Sequence, residues 1–287
     1  MAENVVKKPR AHKLTAKFPV IVALLLALIA FYVMQFIAVP FTLLCRSVFP
    51  WHPQDTSLIG TLFSTGLILF LYKLFFKPEY EGSLKGGSIS EGFLLCLAHV
   101  AYLVLSSLAN MIANSFAIGV PSLQQISASV MAGFLEETAF RALLIATLMR
   151  QWRNDEKKFI PAALISAIVF GSTHAFNLFA GANPLQTLCQ VFSAGCGGFF
   201  FAAVFLRTGN ILPTMVMHAI QDIASAAVFP TLSEGMILQG TLGWADYVDL
   251  GLGALLCAFG VFLLRPAKRG RISEVWNKKW SNELPAV

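Results

Sequence analysis

Eight stretches of the chain are dominated by apolar residues, and short polar runs separate them. They cover residues 18–40, 57–76, 91–113, 123–149, 160–178, 185–206, 210–229 and 247–265. Each approaches the roughly 20 residues that a helix needs to cross a bilayer core. Continuous apolar runs of this length predict transmembrane helices rather than alternating strands. The expected fold is therefore all-α, a polytopic transmembrane helical bundle of about eight spans. No low-complexity stretch, composition shift or internal repeat divides the 287 residues, so one compact bundle with short connections is expected. The first span follows Lys7, Lys8, Arg10, Lys13 and Lys17 and precedes no small-residue cleavage site, which predicts a retained anchor.

Composition agrees with this reading. Hydrophobic residues make up 56% of the chain, charged residues 13%, and the mean hydropathy is +0.69; soluble domains have about 25% charged residues. A net charge of +6 would suit nucleic acid in a soluble protein. Here the placement of the basic residues matters more, and no nucleic-acid partner is expected. The N-terminal tail, the loop with Lys73, Lys77 and Lys85, the loop with Arg150, Arg153, Lys157 and Lys158, Arg207, and the C-terminal tail with Arg265, Lys268, Arg269, Arg271, Lys278 and Lys279 fall on one side of an eight-span topology. Of the 21 basic residues, only Arg46 falls on the other side, and Arg141 lies within a span. The positive-inside rule then places both termini in the cytoplasm, which requires an even number of spans.

Arg141 is one of several ionisable residues inside the apolar segments. Glu136, Glu137 and Arg141 lie in the fourth span, His174 in the fifth, and His218 and Asp222 in the seventh. Each Asp or Arg at a helix centre costs about 2.5–3.5 kcal/mol on insertion scales, so the set must face itself or a water-filled cavity. Glu137 and Arg141 are four residues apart and can form an ion pair, while Glu136 is turned about 100° away and remains free. Phe170 and His174, and His218 and Asp222, have the same spacing. At a rise of about 1.5 Å per residue, Glu136, His174, Asp222 and His218 lie roughly 20, 21, 18 and 12 Å from the cytoplasmic ends of their spans. Three antiparallel neighbours could bring them into one cavity. Packing alone accounts for a lone buried histidine such as His99, and for the Glu137–Arg141 pair as a structural salt bridge. It does not account for two imidazoles beside two unpaired carboxylates.

The other polar features point to packing. Gly195, Gly197 and Gly198 suit close helix contact, with no GxGxxG or P-loop pattern. Asn110, Asn114, Asn177 and Gln190 suit interhelical hydrogen bonds. Pro161 and Pro213 fall in first turns, where proline is tolerated. Cys45, Cys96, Cys189, Cys196 and Cys257 show no CxxC spacing and read as free thiols.

The run "EETAFR", residues 136–141, resembles the EExxxR motif of the CAAX protease and bacteriocin-processing family, the intramembrane glutamic proteases that include type II CAAX prenyl endopeptidases and the Abi proteins. "FGSTH", residues 170–174, is similar to its FxxxH motif, and "GNILPTMVMHAIQD", residues 209–222, to its closing HxxxN or HxxxD motif. EExxxR alone is a weak signal; three motifs in order on three spans are a strong one. The prenyl endopeptidases usually have Asn at the position of Asp222, and many bacterial members have Asp. Asn donates a hydrogen bond freely, whereas Asp donates only when protonated. The resemblance divides the chain into residues 1–122, holding three spans and a basic tail, a catalytic core at 123–229, and residues 230–287, with the last span and tail.

The resemblance implies an intramembrane endopeptidase in which Glu136 and His174 activate water. His218 would stabilise the oxyanion, with Asp222 orienting its ring or contributing directly, and Glu137, Arg141 and Phe170 would hold the geometry. Its partners would be the lipid bilayer and a peptide or protein substrate, lipidated or not; a prenylated tail requires a cell that prenylates proteins. Its location would be a membrane, the plasma membrane in a prokaryote. No cofactor is expected. Zinc is the mechanistic rival, since two histidines and two or three carboxylates are a possible ligand set, although HExxH is absent. A proton-coupled transporter and a non-catalytic scaffold are the competing functions. Proton-dependent uptake would mark the first, and a phenotype indifferent to Glu136→Ala the second.

Overall fold

The computed structural model describes residues 10–48, 53–77, 79–228 and 242–280, with backbone alone at 10–12 and 53–56. Lys7 and Lys8 of the basic tail lie outside the described residues. Every regular element among these residues is helical. A short α1 (Arg10–Lys17) leads into α2 (Pro19–Val48) and α3 (Pro53–Phe75), an antiparallel pair. The third expected span is two helices in sequence, α4 (Ile89–Leu95) and α5 (Leu97–Ala113). The fourth is α6 (Leu123–Glu137), a π-helical segment at Thr138–Leu143, and α7 (Leu144–Trp152). Then come α8 (Phe159–Thr173) with a 3-10 turn at His174–Leu178, α9 (Pro184–Thr208), α10 (Leu212–Val228), α11 (Trp244–Leu263) and α12 (Pro266–Lys279).

Local chemistry explains several boundaries. Ser122 and Gln125 form a capping box at the start of α6, each side chain bonded to the other's backbone N–H. Asn183 accepts from the Leu185 and Gln186 N–H groups ahead of Pro184 at the start of α9. That helix stops at Gly209, whose φ of 64° is left-handed.

Among the described residues, six helical stretches are long and apolar enough to cross a membrane: Pro19–Val48, Ser57–Phe75, Ile89–Ala113, Glu156–Leu178, Pro184–Thr208 and Trp244–Leu263. The two other expected spans fall short for identifiable reasons. The fourth is interrupted by the π-helical segment, and α10 has 17 residues. These are also the helices that bear the carboxylates. Both are largely enclosed by protein beside the charged groups, so lipid does not demand an apolar surface of them: every residue of 137–150 is buried, as are six of the eight at 212–219. By contrast, α2 buries Ala23, Ala27, Ala30, Met34 and Ala38 along one stripe and leaves Leu25, Ile29, Tyr32 and Phe36 exposed, the surface of a lipid-facing helix.

The helix ends that carry the basic residues are tied to one another. Arg150 pairs with Glu79 at 2.7 Å and Arg207 with Glu91 at 3.0 Å. The C-terminal α12 lies across this end, with Trp276 donating to the Leu206 carbonyl at 3.0 Å and Trp280 stacked on Tyr80 at 4.4 Å. The Lys279 ammonium is buried and donates to the carbonyls of Gly82 and Lys85 at 2.7 and 2.8 Å.

Candidate active site

Three helix pairings bring the charged groups together: α6 against α10, α8 against α9, and the π-helical segment against α8 and α9. The α6–α10 approach depends on Gly133. A Cβ there would sit 2.8 Å from the backbone nitrogen of Ala219 and 3.0 Å from the carbonyl oxygen of Met215. The close approach places the end of α6, with Glu136 and Glu137, directly beside His218.

Glu137 is fully buried, and its Oε1 lies 2.9 Å from Nη1 of the equally buried Arg141. The ion pair expected from the spacing is present. It is a contact of charges rather than a well-directed hydrogen bond, because the guanidinium lies over the ring of Phe170, 4.2 Å from its centroid. Glu137 has a second partner that spacing within one helix does not indicate: the same Oε1 is 3.1 Å from His218 Nδ1. A carboxylate only accepts, so Nδ1 carries the proton and Nε2 is presented to the other side of the ring. There Nε2 stands 3.5 Å from Glu136 Oε2 and 3.8 Å from Asp222 Oδ2. Three of the expected carboxylates thus meet around one imidazole. Side-chain exposure rises from 0% at Glu137 through 7% at His218 and 19% at Glu136 to 31% at Asp222, so a solvent molecule or substrate reaches Glu136 and Asp222 first.

His174 joins through an aromatic intermediary. It caps α8 where the helix tightens into the 3-10 turn, and its ring meets Phe170 edge-on at 5.3 Å. Phe170 meets His218 in the same manner at 5.7 Å. Among the described residues no ion-pair contact joins His174 to Glu136; the imidazole next to Glu136 is that of His218. The His174 Nε2 is buried without a hydrogen-bond partner. Phe170 therefore supports three charged or polar groups at once: the Arg141 guanidinium over its face and the rings of His174 and His218 in T-shaped contact.

Two residues of α9 contribute more than the sequence indicated. Gly198 is where Arg141 and Phe170 pass α9; a Cβ there would lie 2.7 Å from Arg141 Nη2 and 2.8 Å from Phe170 Cδ1. The Gly195–Gly198 run indicated close contact but not with which groups. Phe201, one turn on, stacks on His218 at 5.9 Å and has no polar signature to mark it. Gly198→Val is expected to displace the guanidinium–phenylalanine stack, at a cost of about 1–3 kcal/mol for overpacking. A thermal melt of the purified variant measures this, and an unchanged midpoint would mean that the stack yields freely.

The packing assignments are largely met. His99 Nε2 is bonded to Gln221 at 2.7 Å, Asn110 to Asp249 at 2.9 Å and Asn177 to Gln190 at 2.8 Å, and all five cysteines are free thiols. Among the described residues, no three His, Cys, Asp or Glu side chains are disposed to hold one metal ion.

Comparison with known proteins bears on this constellation. Residues 119–224 match the family model described as type II CAAX prenyl endopeptidase Rce1-like. No curated protein and no solved structure gives a match. The matched segment holds Glu136, Glu137, Arg141, Phe170, His174, His218 and Asp222, the side chains that the fold gathers around Phe170 and His218. Residues 119–224 of this multi-pass integral membrane protein are thus similar to the type II CAAX prenyl endopeptidase Rce1-like family.

Proposed function

We propose that the chain hydrolyses a peptide bond of a membrane-associated peptide or protein, with water activated by Glu136 and His174. The observation that carries this reading is the clamp on His218, whose Nδ1 is held by Glu137 at 3.1 Å so that Nε2 faces Glu136 and Asp222. Glu137 is occupied by Arg141 and His218. Glu136 has no ion-pair partner other than His218 among the described residues, and its side chain is within reach of solvent. It is the carboxylate able to take a proton from water, and the unpartnered Nε2 of His174 is available to hold that water.

As the water oxygen attacks, the carbonyl oxygen gains charge. His218, protonated at both nitrogens, donates to it through Nε2–H while Nδ1–H stays on Glu137. Asp222 orients the ring from 3.8 Å or donates when protonated. The proton on Glu136 then passes to the leaving amine. Glu137, Arg141 and Phe170 hold these groups in place. The eight helical segments read as eight crossings with the basic end in the cytoplasm. This chemistry uses no cofactor.

The test is cleavage of a panel of fluorogenic peptides, prenylated and unmodified, by the purified protein beside Glu136→Gln and His174→Ala, with and without a chelator. Cleavage lost in both folded variants and indifferent to chelation supports the proposal. Cleavage that survives both substitutions refutes the residue assignment. Activity lost to chelation and restored by zinc would replace the glutamate mechanism with a metal-dependent one.

A further inference from the structure

The site has a packed side and an open side. Toward the basic end, every residue of 137–150 and of 199–211 is buried. The loop at 80–88 seals that end with hydrogen bonds: Ile211 N–H donates to the Ser83 carbonyl, Ser88 N–H to the Thr208 carbonyl, and the Asn210 side-chain amide to the carbonyls of Leu84 and Gly86. The same helices are far less enclosed at their opposite ends, residues 123–136 and 184–198. There a cavity of about 590 Å³ lies between α5, α9, α10 and α11. That volume is in the range of ligand-binding pockets.

The lining of this cavity differs from the rest of the bundle. Asn110, Gln190, Gln221 and Ser225 line it, and among the described residues its charged lining groups are Asp246 and Asp249. Asp249 Oδ2 accepts from the Asn110 amide at 2.9 Å, while Oδ1 is buried without a hydrogen-bond partner. A bundle that otherwise packs phenylalanine on phenylalanine gains no stability from a polar void with an unpaired carboxylate oxygen. A ligand rich in N–H donors would complete it.

The cavity leads to the site along two elements. His218, Gln221, Asp222 and Ser225 occupy positions i, i+3, i+4 and i+7 of α10 and share one face. The first and third belong to the site, and the second and fourth to the cavity wall. On the other side, Asn177, just beyond His174, donates to Gln190 in the wall at 2.8 Å. The His218-bearing helix thus runs into the cavity wall, and the segment that follows His174 is bonded to that wall.

Resting on the peptidase reading, we infer that this cavity is the substrate-binding cleft, entered from the end opposite the basic face, and that it takes an extended peptide segment whose cationic side chain pairs with Asp249. The amide and hydroxyl groups along α5, α9 and α10 supply partners for peptide N–H and C=O groups, as extended peptides require. Asp249 provides the charge selection.

Binding tests this apart from cleavage. Short fluorescein-labelled Ala/Ser peptides that differ only in a central Lys, norleucine or Glu are titrated by anisotropy against the full-length Glu136→Gln protein in detergent micelles. The Lys peptide is expected to bind at least about tenfold more tightly than the norleucine peptide, the worth of one favourable charge pair. Adding Asp249→Asn should abolish that preference while the norleucine affinity stays the same. Ser225→Trp, which fills the cavity, should weaken all three peptides. Thermal melts identify any variant that fails to fold, and Asp246→Asn then serves as the second acidic probe, expected to narrow the preference. Equal affinity for the three peptides, or a Lys preference that survives Asp249→Asn in folded protein, overturns the cleft. Charge-selective binding without cleavage by wild type instead counts against the peptidase reading and leaves the cleft standing.

Discussion

Glu136→Gln is expected to lower the rate of peptide hydrolysis by about 10²–10⁴-fold, the usual contribution of a general base, while the protein stays folded. Glutamine keeps the shape of the side chain and its hydrogen-bonding reach toward His218, and removes only the capacity to accept a proton from water. Stability should change little, because the Glu136 side chain is 19% exposed and its ion-pair contact to His218, at 3.5 Å, is loose. The two readings together are diagnostic: a cleavage assay should show the loss and a thermal melt should not. A variant that cleaves at the wild-type rate would remove Glu136 from the mechanism. A variant that unfolds would recast it as a structural residue.

The neighbouring glutamate should behave in the opposite way. Arg141→Met leaves the Glu137 carboxylate fully buried with its cation gone, and His218 Nδ1 as its remaining partner. Breaking a buried pair by removing one member typically costs about 3–5 kcal/mol. The loss should appear as a melting midpoint lower by on the order of 10 °C, with activity falling in step. Adding Glu137→Gln to Arg141→Met neutralises the stranded charge and should recover much of the stability. Activity should not return, because the clamp on His218 no longer has a carboxylate. If the single and double variants melt together, the pair contributes no coupling and the cycle refutes its structural role. Adjacent residues on one helix would thus separate into one that serves chemistry and one that serves architecture.

That division was partly legible in the chain. The Glu137–Arg141 spacing indicated the ion pair, and the 100° offset of Glu136 indicated that it would be left out of it; both hold in the fold. The i,i+4 relation of Phe170 to His174 placed both rings on one helical face, where they meet edge-on. The bond from Glu137 to His218 could not be read in this way. It joins residues 81 positions apart, and it depends on how closely α6 approaches α10, which Gly133 permits. The π-helical segment at Thr138–Leu143 was equally invisible, since "TAFRAL" is an ordinary helical sequence and the wider turn arises from what packs around it. The same holds for the neighbour of Glu136: depth along the spans pointed to His174, whereas the packing of α10 against α6 sets His218 beside it.

The sequence by itself determined the elements and their chemistry: long apolar helical stretches, basic residues gathered on particular connections, and the ionisable groups Glu136, Glu137, Arg141, His174, His218 and Asp222 within the apolar segments. These properties follow from composition and from the period of a single helix, both of which are local. Only the tertiary structure decided which imidazole faces which carboxylate, that Phe170 and Gly198 carry the stack beneath them, and that the site is packed on its basic side and open toward a polar cavity on the other. These depend on the rotation, depth and separation of helices distant in the chain, which the sum of many weak contacts sets and no single spacing encodes.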